Sequence, residues 1–296
     1  MSEQQVWIGI DTGGTFTDVV LFDRGRERFH YLKLATSTEA PWRAIVDGVD
    51  QLLDELRLPP AAVRRLAHGT TLGTNALLEG RLPRTGMITT AGFRDVLELA
   101  RQRRPHMFNL HVQKPDTIAA REDRLEVRER LDETGGVLEP LDHEQLLACA
   151  IRLREQGCTA LAVCFLHSYA NPAHERRARE LIESNWPEVY VSVSHEVLAE
   201  MREYERFCTT VVNAALRPIM DGYLSKLEQQ LANLGLNVVP GIMQSNGGTV
   251  TPASVRRLPV NTCVSGPAAG VVAAQRLGQR MAAPDLLTFD MGGTST

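Results

Sequence analysis

The 296-residue chain is 43% hydrophobic and 23% charged, a folded-protein composition that argues against disorder. Its formal net charge of −4 gives no whole-chain field to draw it to nucleic acid or anionic lipid. No apolar run reaches the roughly 18 residues of a spanning helix, and no basic stretch followed by an apolar one opens the chain, so no membrane role and a cytoplasmic location are expected. The five cysteines (Cys149, Cys158, Cys164, Cys208 and Cys263) form no C-x-x-C pair, which speaks against a disulfide framework or zinc ribbon.

Three short strands open the chain: Val6 to Ile10, Phe16 to Phe22 and Arg28 to Leu34, with turns at Asp11–Thr15 and Asp23–Gly25. A helix follows from Pro41, its apolar residues Ile45, Val49, Leu52 and Leu56 at helical spacing, and Pro59-Pro60 stops it. A strand from Leu66 enters the polar loop His68–Asn75, which opens a short helix at Ala76–Glu79. Gly86–Thr90 reads as a strand and Phe93–Leu99 as a helix. From 101 to 140 the pattern changes: Arg101, Arg103 and Arg104 precede an irregular stretch, then Arg124–Leu131 alternates like a hairpin arm with its turn at Thr134–Gly136. The α/β rhythm resumes with a helix at 142–155, strand 160–166, helix 172–183 and strand 189–193. A long helix at 202–234 is expected to kink or split at Pro218. Strand 238–243, the turn Gln244–Gly248, helix 266–277 and a last strand, Leu286–Phe289, complete the chain. Strands alternating with helices predict an α/β fold with a mainly parallel, and so mixed, sheet after an antiparallel start.

One motif occurs twice. Residues 8–17 read Ile-Gly-Ile-Asp-Thr-Gly-Gly-Thr-Phe-Thr, and residues 287–296 read Leu-Thr-Phe-Asp-Met-Gly-Gly-Thr-Ser-Thr. Each is an apolar strand followed by Asp-x-Gly-Gly-Thr-x-Thr. Two glycines let backbone N–H groups approach phosphate oxygens, and the Thr hydroxyls add donors. The aspartate suits a magnesium ion held through water. Asp11, Gly13, Gly14, Thr15 and Thr17, with Asp290, Gly292, Gly293 and Thr294, are therefore the candidate phosphate and Mg2+ residues.

This pair resembles the two phosphate loops of the actin, sugar kinase and heat-shock ATPase superfamily, with its ribonuclease H-like lobes. The resemblance implies ATP between a lobe begun by Asp11 and one begun by Asp290. The stretches His68-Gly-Thr-Thr-Leu-Gly-Thr-Asn-Ala76, Thr90-Ala-Gly-Phe-Arg-Asp95, Gln244-Ser-Asn-Gly-Gly248 and Ser265-Gly-Pro-Ala-Ala-Gly270 narrow it: together they look like the hydantoinase/oxoprolinase family. Its members include N-methylhydantoinase, 5-oxoprolinase and the ATP-hydrolysing subunits of acetone and acetophenone carboxylases. The resemblance divides the chain into an N-terminal lobe at 1–185 and the start of a second at 186–296. Members are more than twice this long, so a larger or split enzyme is expected.

The polar loop supplies further candidates. His68, Thr70, Thr71, Thr74 and Asn75 lie between strand and helix, where open α/β sheets place ligands, although Thr74 or Asn75 could equally cap the helix. Asn246, Gly247 and Gly248 form either a turn facing the cleft or an ordinary hairpin turn. The arginines at 101–104 suit a carboxylate but also a solvated face. The implied activity is ATP-dependent opening of a cyclic amide such as a hydantoin or 5-oxoproline, by phosphorylation of the carbonyl oxygen. The alternatives are the ATP-hydrolysing subunit of a ketone carboxylase, a sugar-type kinase, and a non-catalytic nucleotide-binding module. A small-molecule substrate and a B-type partner subunit are implied by the resemblance.

Overall fold

A computed structural model describes residues 5–283 and 285–289, apart from 104, 105, 107, 110 and 113. The chain opens with an antiparallel meander of β1 (Val6–Thr12), β2 (Phe16–Asp23) and β3 (Arg28–Ala35). Helix α1 (Pro41–Glu55) starts on a proline, whose missing N–H costs nothing there, and buries Ile45, Val49, Leu52 and Leu53. Next come β4 (Val63–Thr70), α2 (Leu72–Leu78), β5 (Thr85–Thr90), the single turn α3 (Val96–Leu99) and β6 (Arg124–Val127). A small hairpin, β7 (Arg130–Leu131) with β8 (Val137–Glu139), leads to α4 (His143–Glu155), capped by the Asp142 side chain. Then follow β9 (Ala160–Cys164), α5 (Ala173–Asn185), β10 (Tyr190–Val193) and α6 (Ser194–Val197). The long helix α7 (Glu203–Asn233) precedes β11 (Gly241–Met243), β12 (Thr249–Val250), α8 (Pro252–Arg257) and α9 (Ser265–Arg280).

Two compact units result: residues up to Arg81 together with those from Ile219 on, and Leu82–Pro218. The first holds a mixed six-stranded sheet in the order β12-β11-β4-β1-β2-β3, with β4 parallel to both β1 and β11. Alternation along β1 sends Val6, Ile8 and Ile10 into a core that also takes Ile45, Leu52, Leu224 and Leu227 from helices, while Trp7 and Asp11 project to the other face. The second unit holds a parallel four-stranded sheet, β10-β9-β5-β6. Both of its faces are covered, so β5 and β9 are buried at every residue. Ile88, Leu161 and Val163 join one core cluster with Leu146 and Ile182, and Met87, Ala160 and Ala162 join another with Phe207 and Val211.

At the carboxyl ends of β9 and β10 the buried carboxylate of Glu175 gathers four donors. It accepts from Phe165 N (2.9 Å), Ser194 Oγ (2.6 Å), His195 N (2.8 Å) and His195 Nδ1 (2.7 Å). Nearby, Glu129 accepts from the Thr90 hydroxyl and lies 2.7 Å from His174 Nδ1.

Several expected elements are redrawn. The arm at 124–131 is two strands: β6 is a buried parallel neighbour of β5, and only 130–131 belong to the hairpin. The expected helix at 93–99 is confined to α3, whereas α2 begins at Leu72, within the stretch read as loop. Pro218 lies inside one unbroken helix rather than splitting it. Residues 286–289 carry no strand, having no partner strand among the described residues. The first unit is discontinuous in sequence, because β10 pairs with β9 while α7 returns the chain to the first sheet.

Candidate functional site

The first Asp-x-Gly-Gly turn closes the β1–β2 hairpin. Thr12 pairs with Thr17, and Gly13 N donates to Phe16 O at 2.9 Å, which places the half-buried Gly14 and the exposed Thr15 at the tip. A Cβ on Gly13 would stand 3.3 Å from that same carbonyl, which explains glycine there. Thr15 O accepts from Thr36 N (2.8 Å), and the buried Thr17 hydroxyl shares a 2.8 Å bond with the Thr36 hydroxyl, so β3 fixes the base of the turn. Asp11 is exposed and lies opposite Gly69 of β4, where a Cβ would come within 3.2 Å of its Oδ1. The missing side chain makes room for the carboxylate.

On the other side of the turn, a cleft of about 310 Å3 is lined by Thr12, Gly13, Gly14, Thr70, Thr71 and Asn75, all within the first unit. Thr71 N and Oγ1 donate to Thr12 O (3.1 and 3.3 Å), and Asn75 Nδ2 donates to Thr71 Oγ1 (3.2 Å). Thr36, Thr38 and Pro41, together with Glu79 and Arg81, also line this cleft and belong to none of the motifs above. Their one signal was the hydroxyl-rich run Thr36-Ser-Thr38 directly after β3.

Other candidates sit elsewhere. His68 faces the core rather than the cleft: its ring is fully buried, and Nε2 lies 2.6 Å from the Tyr223 hydroxyl of α7. Desolvation lowers its pKa to about 4, an effect that the Ile10 carbonyl partly offsets. Burial likewise pushes the Tyr223 phenol up, against hydrogen bonding with the Thr70 and Thr12 hydroxyls. Thr74 Oγ1 accepts from Val264 N (3.0 Å), and Ser265 Oγ donates to Thr70 O (3.2 Å), so the loop before α9 docks on this segment. Asn246 closes an ordinary turn between β11 and β12, its Oδ1 accepting from Gly248 N at 2.9 Å. Gly247 has φ +81°, and a Cβ there would strike Val272 at 2.6 Å. Asp290, Gly292, Gly293, Thr294 and Arg104 lie outside the described residues.

No group of three or more His, Cys, Asp or Glu side chains among the described residues could hold a metal alone. The five cysteines are free thiols. No helix among the described residues is long and apolar enough to cross a membrane.

The sequence profile of the hydantoinase/oxoprolinase N-terminal region matches residues 7–186, and that of hydantoinase/oxoprolinase matches 206–296. The chain belongs to the hydantoinase/oxoprolinase family. Within this family it is 34% identical to the caprolactamase subunit alpha of Pseudomonas jessenii, over 100% of this chain and 43% of the relative. It is 34% identical to 5-oxoprolinase 1 of Arabidopsis thaliana, over 97% of this chain and 25% of the relative. To the acetophenone carboxylase gamma subunit of Aromatoleum aromaticum it is 31% identical, over 97% and 41%. The chain thus spans less than half the length of these relatives. Among solved structures, the ATP-dependent caprolactamase of Pseudomonas jessenii superposes with a TM-score of 0.87 at 32% identity, over 97% of this chain and 42% of that one. Nucleotide-free acetone carboxylase gives a TM-score of 0.84 over 94% and 41%, and at 23% identity that likeness concerns the fold alone. The mixed sheet and these neighbours make this an actin-like ATPase fold of the hydantoinase/oxoprolinase kind.

Proposed function

We propose that this chain is the nucleotide-binding part of an ATP-dependent hydrolase that opens a cyclic amide of the hydantoin or 5-oxoproline type. The observation that carries this reading is the Gly13–Gly14 turn, with the exposed Thr15 beside it, a carboxylate on one side and a hydroxyl-lined cleft on the other. These residues fit a magnesium nucleotide. The tip amides and the Thr15 hydroxyl would hold phosphate oxygens, and Asp11 would hold magnesium through water. The lining groups Thr70, Thr71 and Asn75 would orient the reacting end, their mutual hydrogen bonds fixing them before anything binds.

Bound ATP supplies a phosphoryl group that turns the amide oxygen into a leaving group, and magnesium offsets its charge. Asp290, Gly292, Gly293 and Thr294 take the matching role in the second lobe, on the strength of the repeated motif. The lobes then run 1–185 and 186–296, and a B-type subunit is the expected partner, in keeping with relatives that are themselves named as subunits.

Replacing Asp11 with Ala should lower magnesium-dependent ATP turnover by at least about a hundredfold while leaving the thermal unfolding curve in place. Near-wild-type turnover would sink the assignment. The likeness to the acetophenone carboxylase gamma subunit supports a second reading, an ATP-hydrolysing carboxylase subunit. Phosphate release stimulated by 5-oxoproline or hydantoin marks the first reading. Stimulation by a ketone with bicarbonate marks the second, and a stable phosphorylated sugar would point to a kinase.

A further inference from the structure

Residues 82–218 hold a recess that the nucleotide reading does not use. Its volume is about 610 Å3 and every residue lining it belongs to this one unit. The inner wall is apolar, with Leu97 from α3, Ile118 from the following segment and Val211 from α7. Tyr204 and Cys208 stand on the same face of α7 as Val211, at spacings of four and three. Arg101, Arg103 and Lys114 stand around the same recess.

This recess is built rather than incidental. The Arg124 guanidinium, 1% exposed, donates from Nε to Ala119 O (2.9 Å) and from Nη2 to the Glu98 carboxylate (3.2 Å) and the Thr117 hydroxyl. Lys114 Nζ donates to the Glu98 and Leu99 carbonyls (2.8 and 3.3 Å). Together these bonds fasten 114–119 against α3. The backbone on either side of Arg101 is strained: Ala100 has φ 51° with ψ −134°, and Gln102 has φ 57°. Non-glycine residues in such conformations are strained and cluster at functional sites.

The charge has a sign. Among the described lining residues, Arg101, Arg103 and Lys114 face Glu98 and Asp116, and Glu98 is already matched by Arg124. Arg101 is bonded to Glu205 at 2.6 Å, whereas Arg103 has no ion pair among the described residues. An apolar chamber with a guanidinium at hand suits a molecule that is greasy at one end and anionic at the other.

We propose that this recess is a binding site for a small organic acid, its apolar body against Leu97, Ile118 and Val211 and its carboxylate on Arg103. The site is separate from the nucleotide turn and does not depend on that reading. Cys208, half-buried in the wall, reports occupancy, and Cys149 and Cys263 serve as controls outside it. The full chain is labelled with N-ethylmaleimide, and each cysteine is followed by peptide mass spectrometry, with phenylacetate or phenylacetamide as the probe. Phenylacetate should slow labelling of Cys208 saturably and leave the other two unchanged. The amide should bind at least about tenfold more weakly, and Arg103→Gln should abolish the difference. Unchanged labelling of Cys208 up to the solubility limit of phenylacetate would overturn the proposal. So would equal protection by acid and amide, or a preference for the acid that persists in Arg103→Gln.

Discussion

Whether a polar side chain serves chemistry or architecture is decided at the level of the single residue by the face of the strand it occupies. Asp11 and Thr12 are neighbours on β1, yet Asp11 is exposed and Thr12 is 3% exposed. Across the parallel ladder Gly69 aligns with Asp11 and His68 with Ile10, so His68 inherits the core side. The His-Gly-Thr-Thr string therefore looks like one polar loop in the sequence but divides between two environments. Tyr223, which completes the pair with His68, lies 155 residues away and leaves no local trace. A pH effect follows. The folded-state pKa of His68, about 4, lies below the ordinary 6.5, so the unfolded chain takes up its proton first as pH falls. The contribution of neutral His68 is complete above pH 6.5 and is lost progressively down to about pH 4. The loss should approach about 3 kcal/mol by that pH. Urea midpoints between pH 7.5 and 4 should fall more steeply in the wild type than in His68→Gln, and identical slopes would show that the ring is not buried neutral.

Among the elements, legibility tracked how much of the signal was local. The β1–β2 hairpin was readable because apolar alternation and a glycine turn stand side by side, and α1 because its proline start and helical spacing coincide. The second sheet was harder. β6 begins with Arg124, a charged residue that is nevertheless 1% exposed because the Ala119 carbonyl and the Glu98 carboxylate, 26 residues upstream, receive it. The alternation from Arg124 to Leu131 reads instead as one hairpin arm. Helix α5 shows the reverse case, a glutamate on a polar-looking helix that the fold buries and surrounds with donors. Glu175→Ala should strip Phe165 N, Ser194 Oγ and both His195 donors of their shared acceptor at once. The cost should be about 3 kcal/mol or more, measured as a shift in the urea midpoint. A loss under about 1 kcal/mol would mean that these donors find other partners.

For the molecule as a whole, each unit owns a separate core, and this sets its response to damage. Leu146 is fully buried in the second unit. Leu146→Ala should cost about 2–5 kcal/mol, and hydrogen exchange should rise across β5, β9 and β10 before it rises across β1, β2 and β4. Simultaneous loss of protection in both sheets would show that the units unfold as one. The actin-like fold was legible at this scale because a repeated strand-turn motif is a long-range signal written locally. Which strands share a unit is a different matter, set by pairing after the chain has left and returned.

That departure and return also orders events during synthesis. His68 and Ile242 are register partners although roughly 170 residues separate them along the chain, and Leu82–Pro218 lie wholly in between. At ordinary translation speeds of about 5–20 residues per second, the edge of β4 waits roughly 10–30 s for its neighbour. The intervening unit has all four strands of its parallel sheet outside the ribosome earlier and is placed to fold first. A nascent chain arrested when Pro218 has just emerged from the ribosome should therefore carry a protease-resistant second unit attached to an open first sheet, whose exposed β4 edge is the segment a chaperone would have to cover.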